Sequence, residues 1–429
     1  MRITNARLPG AAARELVIHA GRVATSLPPG IACETLDARG QFVLPAAIDM
    51  HTHVLSRGPA IAREAFADHA PLVPTPDAGA RDYLRLGYGL FVDAAMPPDE
   101  LHDARQARAG AAGGWLLELG TQPELARLVA SADEQALARW LSEQLAASGA
   151  LGVKLVVPAT ASLAGERETI TRLGRALAHL PPGPRLHLHA PALGQPGSAD
   201  ATVKLIHALD GLPIHLAHVQ FYAYGRSPRG QHTSGTEPVA DALARARTIS
   251  ADVGCISFGK AMMVSRDHAL AAQLGRLLDT QPVTREGWSV MPLSYRHDNP
   301  VHAVQWATGL ELILRSPRLD RLALTVDHPN GGPFRNLPAL LGLLMHRDAR
   351  QAALQQAHPA ARQRTGLGEL DRELTIDEAL AITRTAPAAA LGVRDRGRLD
   401  RGAVGDVVIT EDVTARPSVV VQAGRVVIG

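Results

Sequence analysis

Lysine is almost missing from this chain: Lys154, Lys204 and Lys260 are the only three, against 44 Lys and Arg together. Cysteine is scarcer still. Cys33 and Cys255 form no CxxC pair, which argues against a disulfide framework or an iron–sulfur site and fits a reducing cytoplasm. No apolar run reaches the roughly 20 residues that a membrane helix needs. The stretch from Met1 to Arg7 lacks the apolar core of a signal peptide. The formal net charge of +2 gives no reason to expect nucleic acid. What remains is an ordinary cytoplasmic globular composition, 46% hydrophobic and 20% charged. The 429 residues suggest one large domain plus a small one, or two to three domains.

Short strand signals with turns fill residues 2–8, 15–19, 22–24 and 33–37, and again 406–410, 418–422 and 425–428. Two all-β ends flanking an α/β middle can pair as one small sandwich. The middle shows eight strand signals, at residues 42–50, 90–95, 114–119, 152–157, 185–190, 212–219, 248–253 and 321–327, with helical periodicity between most of them. That alternation predicts a (β/α)8 barrel with a composite β-sandwich. The alternative, an open doubly wound sheet, lacks a Gly-rich phosphate loop after its first strand. The expected layout is residues 1–46 and 396–429 as the two parts of the sandwich and 47–395 as a metal-dependent hydrolase barrel.

Lys154 sits in the apolar run Gly152-Val153-Lys154-Leu155-Val156-Val157, where a lone ammonium is costly. A neutral amine there can add CO2 to give a carbamate, an anion that two metal ions can share, whereas an arginine stays protonated. The bland reading is a lysine that snorkels to the strand end. Position decides between them. In a barrel the chemistry lies where strands end at the C-terminal face. There the first strand ends in His51 and His53, the fifth in His187 and His189, the sixth in His215 and His218, and the eighth in Asp327 and His328. Chance alone gives about 0.75 HxH pairs, so the spacing by itself is weak. The ligand types at successive strand ends suit zinc. His51 and His53 share a face by strand parity. His187 reads as a deeper neighbour of His189, and by parity His215 points away from His218 and reads as structural. Asp49 is either an imidazole-orienting partner or a strand-end polar group.

The chemistry that follows is hydrolysis of an amide-like C–N bond, or its reversal. His51 and His53 would hold one divalent metal, His189 and His218 the other, with carboxylated Lys154 shared between two zinc ions or other divalent ions. The metals would acidify a water and polarise a carbonyl. Asp327 would be both a metal ligand and the catalytic group, taking a proton from the attacking water and handing it to the leaving nitrogen.

The order HxH, Lys, His, His, Asp resembles the amidohydrolase superfamily. Longer strings narrow this: Asp93-Ala94-Ala95-Met96-Pro97-Pro98, Leu188-His189 with residues 193–197, residues 215–221, residues 299–312, and Thr325-Val326-Asp327-His328-Pro329-Asn330-Gly331-Gly332-Pro333-Phe334. They resemble the branch of hydrolase-type subunits shared by formylmethanofuran dehydrogenases and the bacterial formyltransferase/hydrolase complex. The resemblance implies a dinuclear zinc site on a carboxylated lysine and an N-formyl substrate of the formyl-methanofuran or methylofuran type, giving formate and the free amine in one-carbon metabolism. It also implies a hetero-oligomeric complex with a formyltransferase, a molybdenum- or tungsten-enzyme-like subunit, and a β-helical subunit. Gln220, Tyr222, Tyr224 and Asn330 follow ligand strands and are candidates for substrate binding. The competing readings are a cyclic-amide hydrolase of the dihydroorotase or hydantoinase type, and a non-catalytic scaffold subunit. The segment 254–262 departs from the family pattern, and Lys260 receives no role.

Overall fold

The computed structural model describes residues 1–10, 14–107, 113–120, 122–181, 183–191 and 193–429. At its centre lies an eight-stranded sheet, nearly closed into a barrel. Its strands follow one another in chain order: Ala47–Thr52, Tyr88–Met96, Gly113–Glu118, Gly152–Val156, Leu186–His189, Ile214–Leu216, Ser250–Gly254 and Leu322–Thr325. Every pair in register is parallel. The strands are buried along nearly all their length because helices cover them outside and other strands face them inside, and most of their residues are apolar. At the seam, Thr52 bridges to His328 and the His53 N–H donates to the His328 carbonyl at 2.7 Å.

The helices are set by local signals. Glu134–Ser148 starts at Asp133, whose side chain accepts the Ala136 N–H, and stops at Gly149, which takes the left-handed φ of 70° that favours glycine. Pro300–Arg315 starts at Asn299, which caps two N–H groups, and buries Ala303, Val304, Trp306, Ala307 and Leu310 against the barrel.

Both chain ends meet in a sandwich. Arg2–Thr4, Leu16–His19, Arg22–Ala24 and Thr35–Asp37 form one sheet; Phe42–Pro45, Val407–Thr410, Val419–Gln422 and Arg425–Ile428 form the other. Ile3, Leu16, Ile18 and Val23 of the first share one apolar core with Val43, Val407, Ile409 and Val421 of the second. The strand expected over residues 42–50 is thus two strands. Pro45 offers no N–H to a ladder, the Ala46 N–H turns to the Asp406 carbonyl, and the chain passes from sandwich to barrel there.

One excursion has no counterpart in the periodicity. After the seventh strand come Gly259–Ser265, Val283–Arg285 and Trp288–Tyr295, an antiparallel sheet, with the helix His268–Leu278 inserted. Its apolar runs are too short to tell strand from helix by period. Among the described residues no helix is long and apolar enough to cross a membrane.

Candidate metal centre

The sheet register builds the floor of the site. Glu118, Lys154, His187, His215 and Ser250 are successive register partners across five neighbouring strands. All five are buried. Register partners share a face, so this is one polar row inside the barrel. His215 belongs to it, against the parity expectation. Parity fails because the sixth strand ends at Leu216, and His218 then turns inward through a left-handed backbone at φ 36°. Asp327 has the same conformation, φ 48°. Non-glycine residues pay roughly 1–3 kcal/mol for such geometry, and it clusters at functional sites. Gly254 makes room for both: a Cβ there would lie 3.0 Å from the His218 Cβ and 3.3 Å from the Asp327 Cβ.

His51, His53, Lys154, His189, His218 and Asp327 all line one cavity of about 410 Å³, and so does Asn330. The Nε2 atoms of His51 and His53 each lie 3.4 Å from Asp327 Oδ1. His218 Nε2 lies 3.0 Å from His189 Nδ1. Ligand atoms of His51, His218 and Asp327 fall within 4.8 Å of one another. Burial strips charge from the second imidazole pair, holding His189 well below the usual histidine range and His218 down at about 3. His218 Nδ1 is buried without a hydrogen-bond partner. Imidazole nitrogens and a carboxylate oxygen gathered in one buried cavity are a donor set for a divalent metal, so these residues fit one.

Burial also lowers the Lys154 amine to about 8, against the pull of Asp252, Asp327, Asp93 and Glu118. While uncarboxylated, this side chain costs the fold about 3 kcal/mol below pH 8, and the cost fades as pH rises towards the unfolded value. His53 behaves oppositely. Burial lowers it, yet Asp327 and Asp93 outweigh burial and raise it to about 9.

Two supporting carboxylates, Asp252 and Asp93, escape the sequence reading of the site, and a third, Asp49, is left between two roles by it. Asp252 Oδ2 lies 3.1 Å from both His51 Nδ1 and His215 Nε2, and Oδ1 accepts the His218 N–H at 2.7 Å. Asp93 Oδ2 accepts the N–H groups of Val54, Leu55 and Ser56, the loop that carries His53 away from its strand. Asp49 orients no imidazole ring; it accepts from Tyr83 Oη, Thr325 Oγ1 and the His51 N–H. A carboxylate inside an apolar strand is the available signal for Asp252 and Asp93, the one that singles out Lys154. Asp252→Asn should loosen His51 and His218 together and weaken metal retention about 10–100-fold. Chelator competition measures this, and unchanged retention would deny Asp252 the orienting role.

The four substrate-binding candidates part ways. Asn330 is on the cavity wall, where its Nδ2 donates to Asp327 Oδ1 at 3.1 Å and its Oδ1 accepts the Val264 N–H. Gln220, Tyr222 and Tyr224 are not among the lining residues. Gln220 spends both ends of its amide on the Gly254 backbone. Tyr222 donates to the Ala190 carbonyl while its ring packs on His218. Tyr224 is buried against His232. Much of the opposite wall comes from the excursion: Met263, Val264, Ser265, Arg266, Trp288 and Tyr295.

Comparison with known proteins places this arrangement. Residues 60–428 match the profile of the Amidohydrolase family, starting just after the His51/His53 pair. The chain is 31% identical to a component of the formyltransferase/hydrolase complex Fhc of Methylorubrum extorquens, over 88% of this chain and 77% of that one. It is 25% identical to "Protein FwdA" of Methanocaldococcus jannaschii, over 92% and 79% of the two chains. The crystal structure of the FhcABCD complex of Methylorubrum extorquens with methylofuran contains a chain that superimposes with a TM-score of 0.90 at 30% identity, covering 100% of this chain and 88% of that one. A dihydropyrimidinase from Brevibacillus agri shares the fold alone, at a TM-score of 0.55 and 14% identity, covering 100% of this chain and 94% of that one.

Proposed function

The chain belongs to the amidohydrolase family, and from that premise we propose that it hydrolyses, or reversibly forms, the N-formyl amide of a formyl-methanofuran or formyl-methylofuran cofactor. The products are formate and the free amine. The observation that carries this is the likeness, at 30% identity over the whole chain, to one chain of a complex crystallised with methylofuran. In this reading the chain works in a hetero-oligomer with a formyltransferase, a molybdenum- or tungsten-enzyme-like subunit, and a β-helical subunit.

His51, His53, His189, His218 and Asp327 would hold two divalent ions, zinc by donor type, with carboxylated Lys154 shared between them; when bound, the ions supply an acidified water and a polarised formyl oxygen. The chain's own residues do the rest. Asp327 is ionised: burial opposes this, but His51 and His53 beside it hold its carboxyl well below the usual carboxylate range. It can therefore accept the proton of the attacking water. Asn330 fixes the carboxylate from the excursion side. Asp327 then returns the proton to the amide nitrogen as the C–N bond breaks, so the amine leaves neutral. Met263, Leu270, Leu274 and Leu293 give the cavity an apolar flank suited to the furan ring of such an amine.

The metal-loaded chain should release formate and free amine in equal amounts from formyl-methylofuran and leave dihydrouracil and hydantoin intact. Ring opening of those cyclic amides without formate release would transfer the chain to the cyclic-amide hydrolases.

A further inference from the structure

We propose that Arg266 makes a carboxylate-binding position on the cavity wall, which holds the acid product of hydrolysis, a small monocarboxylate, through its guanidinium fork. The proposal rests on the amide-hydrolysis reading and adds a residue to it. Among the described residues lining the cavity, the cationic side chains other than histidine are Lys154 and Arg266. Lys154 is committed to the floor. Arg266 is thus the permanent positive charge left facing the cavity, since guanidinium does not lose its proton near neutral pH.

The side chain is built into its place and incompletely used there. It is 13% exposed, and its guanidinium lies 5.5 Å from the centre of the Trp288 ring, within the range of a cation–π contact. Trp288 is itself fixed by donating Nε1–H to Glu100 at 2.7 Å, and its ring meets His53 edge-on at 6.2 Å. Arg266 and His53 therefore both pack against one immobile ring. The backbone beside Arg266 is pinned by Asp267, which caps the following helix at Leu270 and accepts the Ala159 N–H at 2.6 Å. The turn at Gly287, φ 77°, leaves space for the guanidinium: a Cβ there would come within 3.2 Å of Nη1.

Glu118 is the facing carboxylate, but it stands off at 3.7 Å from Nε, beyond hydrogen-bond distance, and its Oε1 accepts the Gly120 N–H. Nε is buried with no hydrogen-bond partner. Nε is closed off from the cavity, so a bound carboxylate would meet the Nη end of the guanidinium, whose planar fork matches a planar carboxylate. Amide hydrolysis makes one carboxylate and one amine from a neutral bond. The carboxylate is the product that needs a cation, and the reverse reaction needs the same anion held beside the amine.

The test titrates formate into the metal-loaded full-length chain by calorimetry, for the natural protein, Arg266→Gln and Arg266→Lys, with metal content and circular dichroism recorded for each. Formate affinity should fall at least about tenfold in Arg266→Gln and less in Arg266→Lys, which keeps charge but loses the fork. Equal affinity in the natural protein and a folded, metal-loaded Arg266→Gln would overturn the proposal. So would affinity lost equally in both variants, which would mark the loss as structural. Formate release from the formyl amide is assayed separately. Failure there with Arg266-dependent formate binding intact sinks the substrate reading and leaves the anion position standing.

Discussion

Lys154→Ala should retain little metal and release no formate, and Lys154→Arg should do no better. The natural chain should carry about two divalent ions, measured by plasma mass spectrometry. Arginine at this position keeps its charge at every accessible pH and cannot form a carbamate, so the two variants separate a need for bulk or charge from a need for an amine. The pH dependence follows from the amine lowered to about 8. Carboxylation consumes the neutral form, which is about one in a hundred at pH 6 and one half at pH 8. Reloading metal-stripped protein at a fixed concentration of dissolved CO2 should therefore quicken about tenfold per pH unit between 6 and 7 and level off above 8. An ordinary lysine would still be accelerating at pH 9. Full metal content and turnover in Lys154→Arg would remove the carbamate from the account.

Asp327→Asn should lower hydrolysis by about 10²–10⁴, the usual weight of one positioned acid–base group. The amide keeps the shape and accepts from the same neighbours, but it can take no proton from water. Because the carboxyl of Asp327 is held well below the carboxylate range, its ionised form persists as pH falls. The natural enzyme should show no acid limb from this residue within the ordinary carboxylate range. Two readouts keep the result interpretable: metal content, because Asp327 is also a candidate ligand, and kcat separately from KM. A variant with full metal and undiminished kcat would exclude Asp327 as the proton carrier.

The candidate ligands that the sequence flags, and that line one cavity in the structure, share one property: each interrupts a strongly patterned strand. Lys154 stands in an apolar run, and His51, His189 and Asp327 stand at or near the ends of such runs, so periodicity both locates the strands and flags the exceptions. Asp93 and Asp252 carry the same flag inside the second and seventh strands and lack only a reason to be read as supports for imidazoles. His215 and His218 show where period-2 reasoning ends. Parity holds while the chain is extended, and one left-handed residue resets it. Gln220 and Tyr222 lie close in sequence to a ligand strand, but a short 3-10 turn over Val219–Tyr222 folds their side chains back into packing. The excursion over residues 259–295 is the least legible part. It lies outside the barrel's repeating unit, and its contribution to the cavity depends on contacts that no local pattern encodes.

The seam between the first and last barrel strands has a temporal meaning. Thr325 Oγ1 reaches the His51 carbonyl across 274 residues of sequence, and Asp327 meets His51 and His53 only when this closure is made. Closing so long a loop is among the slower events in folding, because its entropy is spent before its contacts form. A partly synthesised chain can display two imidazoles at His51 and His53 but not the carboxylate that faces them. Tight capture of a metal at this site would thus report that the barrel has shut, the ion arriving as a seal on a finished fold.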